Sequence, residues 1–260
     1  MINQHDSSQE HKQAFFHLQK SICESIAPDY IDERLGLAYA EIGIAYTQEG
    51  RLDEAIEAYT RGREIRRKLG NTSLLSRDAN LAIAYMDRGD LSLAEEILIE
   101  SLGLNESTTQ AKQSHRVARF LSALGNLRVL QGRLDEAYQE HSKALGLYID
   151  TVGLTNQRTA EARHKMAEHL IRLGRYDEAI TMINEALRVW SYDAEVYKPE
   201  LARTTFLKAH LLEQLGKTQK ANVAFKVAAR LRAEVAPKDK RDIRSLEPRD
   251  FDCMLAFWSR

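Results

Sequence analysis

Apolar residues recur along most of the chain at the spacing of an amphipathic α-helix. In residues 39–50, a small apolar set falls at positions i, i+3, i+4 and i+7, which share one face of a helix: Tyr39, Ile42, Gly43 and Tyr46. A second face follows after Gly50 and comprises Leu52, Ala55, Ile56, Tyr59 and Gly62. The pattern predicts two helices joined by a short turn.

The turn between these helices recurs along the chain. The hexapeptide GRLDEA occurs at 50–55 and again at 132–137, and GRYDEA occurs at 174–179. Five turn glycines align at spacings of 39 to 43 residues: Gly50, Gly89, Gly132, Gly174 and Gly216. An internal period of this length is typical of a solenoid built from stacked helical hairpins.

Each part of the repeated turn has a structural explanation. Glycine adopts the positive φ that ends the first helix, and the Asp-Glu pair places negative charge where the dipole of the second helix favours it. One slot of each first helix holds a small residue, as close helix crossing requires: Gly43, Ala82, Gly125, Ala167 and Ala209. The matching slot of each second helix holds Ala55, Ala94, Ala137, Ala179 and Ala221.

This arrangement resembles the tetratricopeptide repeat, whose signature runs W-x₂-L-G-x₂-Y and then Ala and Phe. The strings YAEIGIAY (39–46) and LSALG (121–125) match it. The longer period is similar to that of the kinesin light chain branch, as are ANLAIAYMDRG (79–89) and ALGLYIDTVG (144–153). The ending FDCMLAFWSR (251–260) is similar to the ends of fungal proteins that carry such repeats. The resemblance implies an all-α solenoid, a right-handed superhelix of about five hairpins with capping helices.

The sequence divides into three predicted regions. Residues 1–35 form a polar arm and a capping helix, 36–236 form five repeats, and 237–260 form a charged linker and a C-terminal capping helix. The first cap is predicted from an apolar stripe at helical spacing: Phe15, Leu18, Ile22 and Ile26. The second is predicted to begin near Pro248 and to cover the fifth repeat with Phe251, Met254, Leu255 and Trp258.

Composition and charge narrow the possible functions. The chain has 37 Lys and Arg against 38 Asp and Glu, which gives no overall attraction to nucleic acid or an anionic membrane. No run approaches the roughly 18 apolar residues of a membrane span. The two cysteines, Cys23 and Cys253, are too distant in sequence to suggest a disulfide framework. We therefore expect a cytoplasmic protein, and we interpret the basic run RGREIRRK (61–68) as a solvated outer face.

The predicted site is the concave groove that the first helices line in this family. The resemblance implies that Asn80 grips the backbone of a bound peptide there. The repeat frame predicts the peptide-binding set Asn80, Ile83, Glu41, Ile44, Met86, Asn126, Arg119, His164, Glu168, Arg203 and His210. We therefore expect a protein- or peptide-binding adaptor or scaffold without a cofactor or metal.

An alternative function uses the polar C-terminal half of the groove. His164, Glu168, His210 and Arg203 lie there and would form a small-molecule or catalytic pocket, because His and Glu are common proton-transfer groups. No phosphate loop, G-x-S-x-G or C-x-x-C motif accompanies them, so an enzyme is the less favoured interpretation.

Two charged residues interrupt the apolar pattern, and the role of the tail stays open. Arg128 and Lys208 fall in slots that are apolar or aromatic in other repeats, so each must reach solvent or find a partner. The acidic and aromatic tail around Trp258 is either a static cap or an inhibitor that occupies the groove of its own chain or of a neighbouring chain.

Overall fold

The computed structural model describes residues 4–27, 29–70, 75–105 and 115–259. All regular structure in these ranges is helical, as the sequence predicted. The α-helices are α1 Gln4–Ile26, α2 Glu33–Gln48, α3 Leu52–Lys68, α4 Leu75–Arg88, α5 Leu91–Asn105, α6 His115–Leu130, α7 Leu134–Val152, α8 Gln157–Arg172, α9 Tyr176–Trp190, α10 Lys198–Gln214, α11 Thr218–Val235 and α12 Pro248–Asp252. Short 3₁₀ turns cover Ser191–Asp193, Ile243–Ser245 and Phe257–Ser259.

Helices adjacent in sequence pack as pairs, among them α2 with α3, α4 with α5, α8 with α9 and α10 with α11. The five predicted turn glycines all have positive φ, between 69° and 96°. In the first turn, the backbone N–H of Arg51 donates to the Tyr46 carbonyl at 2.9 Å, which satisfies an otherwise unpaired group at the helix end. The predicted all-α fold of helical hairpins is confirmed.

The Cα positions group into two compact units, Met1–Ala137 and Tyr138–Arg260, so the boundary falls within α7. Each unit has its own apolar core. A cluster in the first contains Ala55, Ile56, Tyr59, Leu81 and Ala84. A cluster in the second contains Ala167, Leu170, Ala179, Ile183 and Leu211.

The small-residue slots lie where helices approach closely. An added Cβ on Gly43 would lie 2.7 Å from ring carbons of Tyr59, which is closer than real Cβ contacts. The Tyr59 hydroxyl is within hydrogen-bond distance of the Thr47 hydroxyl, at 3.2 Å. Ala55, opposite in the second helix, is fully buried. A glycine is therefore needed on α2 so that the tyrosine ring fits between the helices.

The buried face of α1 differs from the predicted one. Leu18 and Ile26 are each 57% exposed, whereas Gln19 and Cys23 are buried. The Phe16 ring contacts the Tyr39 ring edge to face, with centroids 4.9 Å apart. The row that packs toward α2 therefore contains Phe16, Gln19 and Cys23, and the polar Gln19 interrupts it, so apolar spacing alone favoured the neighbouring row.

The basic run at 61–68 is not wholly a solvated face. Arg63 and Arg66 are buried, and their guanidinium nitrogens lie 3.1 Å and 3.6 Å from carboxylate oxygens of Asp78 on α4. The Ser101 hydroxyl also donates to Asp78, at 2.7 Å. A buried charge is tolerated only with such partners, so this part of the run joins α3 to α4 and α5.

The C-terminal segment forms less helix than predicted. Helix α12 begins at Pro248 as expected but ends at Asp252, and a 3₁₀ turn follows at Phe257–Ser259. A reciprocal capping box of Glu247 and Asp250 fixes the start of the helix. Phe251 and Leu246 are buried in the core cluster of α10 and α11. The Trp258 side chain lies outside the described residues.

Candidate functional site

The predicted groove residues of the first unit surround a hydrogen bond between two repeats. Asn80 on α4 is 3% exposed, and its side-chain oxygen accepts a hydrogen bond from the Arg119 guanidinium on α6. Ile83 and Met86, also on α4, are each 8% exposed. The structure therefore places Asn80 at a packing contact between first helices, a role that the repeat frame had not indicated.

Other predicted residues of the first unit remain partly open to solvent. Glu41 and Ile44 on α2 are half-buried, as is Asn126 on α6. Ile44 packs against the apolar cluster that contains Tyr59. This part of the predicted surface presents an acidic group, an amide and an apolar side chain.

In the second unit, His164 forms a buried polar contact between α8 and α10. Its Nε2 lies 3.4 Å from Glu168 Oε1, and its Nδ1 lies 3.1 Å from the Thr204 hydroxyl. Burial and the nearby Arg203 charge lower the pKa of His164 to about 4. The imidazole is therefore neutral at pH 7.

The Glu168 carboxyl stays ionised beside His164. Burial opposes its charge, but the Lys165 ammonium and the His164 ring together hold its pKa well below the ordinary value. The Lys165 nitrogen lies 3.4 Å from the second carboxylate oxygen. The arrangement orients one imidazole and one carboxylate on the same helix.

Arg203, the next predicted residue, binds the C-terminal segment of the chain. It is 3% exposed, and its Nη1 donates to Asp252 Oδ1 at 3.1 Å and to the Ser259 main-chain oxygen at 2.8 Å. The Ser259 hydroxyl donates to Glu161 Oε1 on α8 at 2.7 Å. The segment therefore joins the first helices of the fourth and fifth repeats.

Sequence reasoning missed Glu161 as a contact, although a signal was present. Counted back from each turn glycine, Glu161 occupies the same register as Arg119 and Arg203. The missing information was the course of the C-terminal segment, because a residue is recognised as a contact only when its partner is known.

His210 is exposed and has different neighbours. Its ring contacts Phe206 and Phe225 edge to face, with centroids 4.5 Å and 5.0 Å away. Partial burial lowers its pKa. Of the four residues in the alternative catalytic cluster, only His164 and Glu168 contact each other directly among the described hydrogen bonds and ion pairs.

Both residues that interrupt the apolar pattern have polar partners. Arg128 is 6% exposed and donates to Glu95 Oε1 at 2.5 Å and to Gln131 Oε1 at 2.7 Å. The Lys208 ammonium donates to Asn184 Oδ1 at 2.7 Å. Arg128 is thus part of an ion pair, whereas the partner that the described residues offer Lys208 is a neutral amide.

Comparison with known proteins connects this geometry with a family. Sequence profiles of the tetratricopeptide repeat match residues 37–68, 118–140 and 158–234, which include parts of both units. The chain carries tetratricopeptide repeats. In each matched pair, the first helix carries the predicted inner-face residues and the second carries the packing alanine.

A sequence relative supports the kinesin light chain resemblance of these repeats. The chain is 27% identical over 164 residues to "Protein KINESIN LIGHT CHAIN-RELATED 1" of Arabidopsis thaliana. The match covers 62% of this chain but only 26% of the relative. The similarity therefore concerns a repeat region of a much longer protein.

Solved structures show the same repeat fold. BtubC (BKLC) from P. vanneervenii matches with a TM-score of 0.72 and 18% identity, covering 94% of this chain and 97% of that one. A putative kinesin light chain of Podospora anserina with nearly identical TPR-like repeats matches with a TM-score of 0.61 and 20% identity, covering 78% and 96%. At these identities the likeness establishes the fold.

Across the described ranges, no helix combines the length and the apolar character that crossing a bilayer requires.

Proposed function

We propose that this tetratricopeptide repeat chain is an adaptor or scaffold that binds peptide segments of partner proteins on the inner faces of its first helices. The repeat fold supports this proposal, since such arrays generally serve as protein-binding surfaces. The kinesin light chain-related relative supports it as well. Each unit contributes its own inner face.

The C-terminal segment carries the proposal, because it contacts residues of the predicted inner face in the way that a bound peptide would. Arg203 binds a carboxylate and a main-chain carbonyl of this segment, and Glu161 accepts from its serine hydroxyl. Phe206 stacks on Phe251 with ring centroids 4.3 Å apart. Peptide recognition commonly uses the same three kinds of contact: an ion pair, a hydrogen bond to the main chain and a buried aromatic ring.

The contacts also indicate a ligand type for the second unit. A partner segment with an acidic residue next to an aromatic one would reproduce the contacts of Asp252 and Phe251. In the first unit, Glu41 and Ile44 offer an acidic and an apolar contact that are still partly accessible. A peptide with a basic and an apolar residue would complement this face.

A peptide-display library tests the proposal on the full chain. We expect enriched peptides whose affinity falls about ten-fold or more when Glu41→Lys reverses the charge on the inner face of α2. The matched control is Glu57→Lys, the same change at an exposed position of α3. A library that yields no binders would refute inner-face binding, as would enriched peptides with a basic and an apolar residue that bind both variants like wild type.

A further inference from the structure

The second unit contains a surface groove that is separate from the inner-face contacts of the C-terminal segment. It is about 720 Å³ in volume and lies between α9, α10 and α11. Its apolar lining includes Ile180 and Leu187 on α9 and Val223 and Val227 on α11. Val223 is 63% exposed and Val227 38% exposed, so an apolar strip one turn long is accessible to a partner.

Three lysines line the same groove: Lys208, Lys217 and Lys220. None of its lining residues, all within the described ranges, is acidic. Elsewhere in this unit lysines pair with carboxylates, as Lys198 does with Glu234 at 2.8 Å. Across the described part of the chain, none of the three groove lysines has a carboxylate within ion-pair distance.

The repeated turn explains how this charge arose. In three repeats the arginine after the turn glycine binds the glutamate three residues later, as Arg51 does with Glu54, Arg133 with Glu136 and Arg175 with Glu178. In the fifth repeat these two positions are Lys217 and Lys220. Two like charges therefore replace an ion pair.

The same substitution removes acidic residues from the start of α11. The first turns of α3, α7 and α9 each contain an Asp-Glu pair, whereas the first turn of α11 contains no acidic residue. The positive end of the α11 dipole is therefore uncompensated beside two lysines. Lys208 adds a third charge, and burial lowers the pKa of this side chain.

We propose that this lysine groove docks a short acidic amphipathic segment of a partner protein, with its apolar side chains on Val223 and Val227 and its carboxylates on the three lysines. The partner supplies the carboxylates that the turn provides in the first, third and fourth repeats. The site lies on the second-helix side of the repeats, and its occupation does not depend on the inner-face binding proposed above.

The test uses full-length protein and a fluorescein-labelled helical peptide with leucines on one face and glutamates on the other. The test variant combines Lys217→Arg with Lys220→Glu, which introduces the ion pair found in three of the other repeats and so preserves the fold. We expect the dissociation constant from fluorescence anisotropy to rise at least about ten-fold, with an unchanged melting temperature. Lys226→Glu, an exposed charge reversal on α11 outside the groove, should bind like wild type.

Several results would overturn the proposal. One is that the acidic peptide binds the double variant as tightly as it binds wild type. Another is that a peptide with lysines in place of the glutamates binds wild type as tightly as the acidic peptide does. A dimer seen by analytical ultracentrifugation that the double variant abolishes would assign the groove to a second copy of the chain instead. The inner-face variant Glu41→Lys should leave this peptide's affinity unchanged, so failure here is distinguishable from failure of the inner-face proposal.

Discussion

The ring of Phe251 stacks on the ring of Phe206, with centroids 4.3 Å apart and planes inclined by 22°. Both side chains are almost fully buried. Phe206 lies on α10 and Phe251 on α12, so one aromatic contact attaches the C-terminal segment to the last repeat. The segment thereby shields the core of that repeat and also contacts Arg203, a residue of the predicted inner face.

Replacing Phe251 with alanine should lower stability strongly. A buried phenylalanine lost from a core typically costs about 3–5 kcal/mol, so we expect a large drop in the denaturant midpoint. Arg249→Ala, on the exposed side of the same short helix, is the control and should change little. A Phe251→Ala protein as stable as wild type would mean that the segment is not part of the folded core.

Removal of residues 245–260 separates the two possible roles of the segment. We expect a lower melting temperature, because Leu246 and Phe251 leave the core cluster of α10 and α11. Affinity for an inner-face peptide of the second unit is measured on the same protein at a temperature where it remains folded. Unchanged affinity assigns the segment to capping alone, and increased affinity shows that it also competes for the inner face.

Two glycine-to-alanine substitutions should change the free energy of unfolding in opposite directions. Gly43→Ala should destabilise the first unit, because the added Cβ would lie 2.7 Å from the Tyr59 ring. Gly146→Ala on α7 meets no atom within 4 Å and should stabilise its helix by about 0.5–1 kcal/mol. Chemical denaturation of both variants measures the difference, and a stabilised Gly43→Ala protein would contradict the close helix crossing.

Acid should destabilise the second unit through His164. The pKa of this imidazole is about 4 in the folded chain against 6.5 for the ordinary value, so the unfolded chain binds the proton first. Its contribution to stability is present above pH 6.5 and is lost as the pH falls toward about 4, by roughly 1.4 kcal/mol per pH unit. Lys165, Glu168 and Arg203 set this environment.

The measurement is the free energy of unfolding between pH 7 and pH 4.5 for wild type and His164→Gln. The free energy of unfolding should fall less steeply with pH in the variant. The difference in slope should approach about 1.4 kcal/mol per pH unit, which is the contribution of one titrating group. Burial also lowers the pKa of His169 to about 4. This residue is present in both proteins, so its effect on the pH dependence of stability is the same in each. Parallel pH profiles would show that His164 does not titrate as its burial implies.

Asn80→Ala should lower the stability of the first unit as well as its affinity for a peptide. Its buried oxygen accepts from Arg119, and loss of such a partner costs about 1–3 kcal/mol. Asn222→Ala removes an exposed acceptor for Arg244 and is the matched control with a small expected effect. If Asn80→Ala melts like wild type while peptide binding weakens, Asn80 serves the ligand alone, as the sequence resemblance implied.

The sequence determined the repeated unit because its causes are local. The positive φ of Gly174 at a helix end, the Asp-Glu pair after it and the small residue Ala179 each follow from the geometry of one hairpin. Such features recur with the repeat, so the all-α fold and its turns were predictable.

Only the tertiary structure decided which of several chemically possible contacts form. Helical periodicity favoured Phe15 for the buried face of α1, whereas it is the Phe16 ring that contacts Tyr39. The course of residues 248–259 decided that Arg203 binds Asp252 and Ser259 instead of solvent. These contacts join residues about 50 positions apart, and their free energy depends on which surfaces meet, which no local pattern encodes.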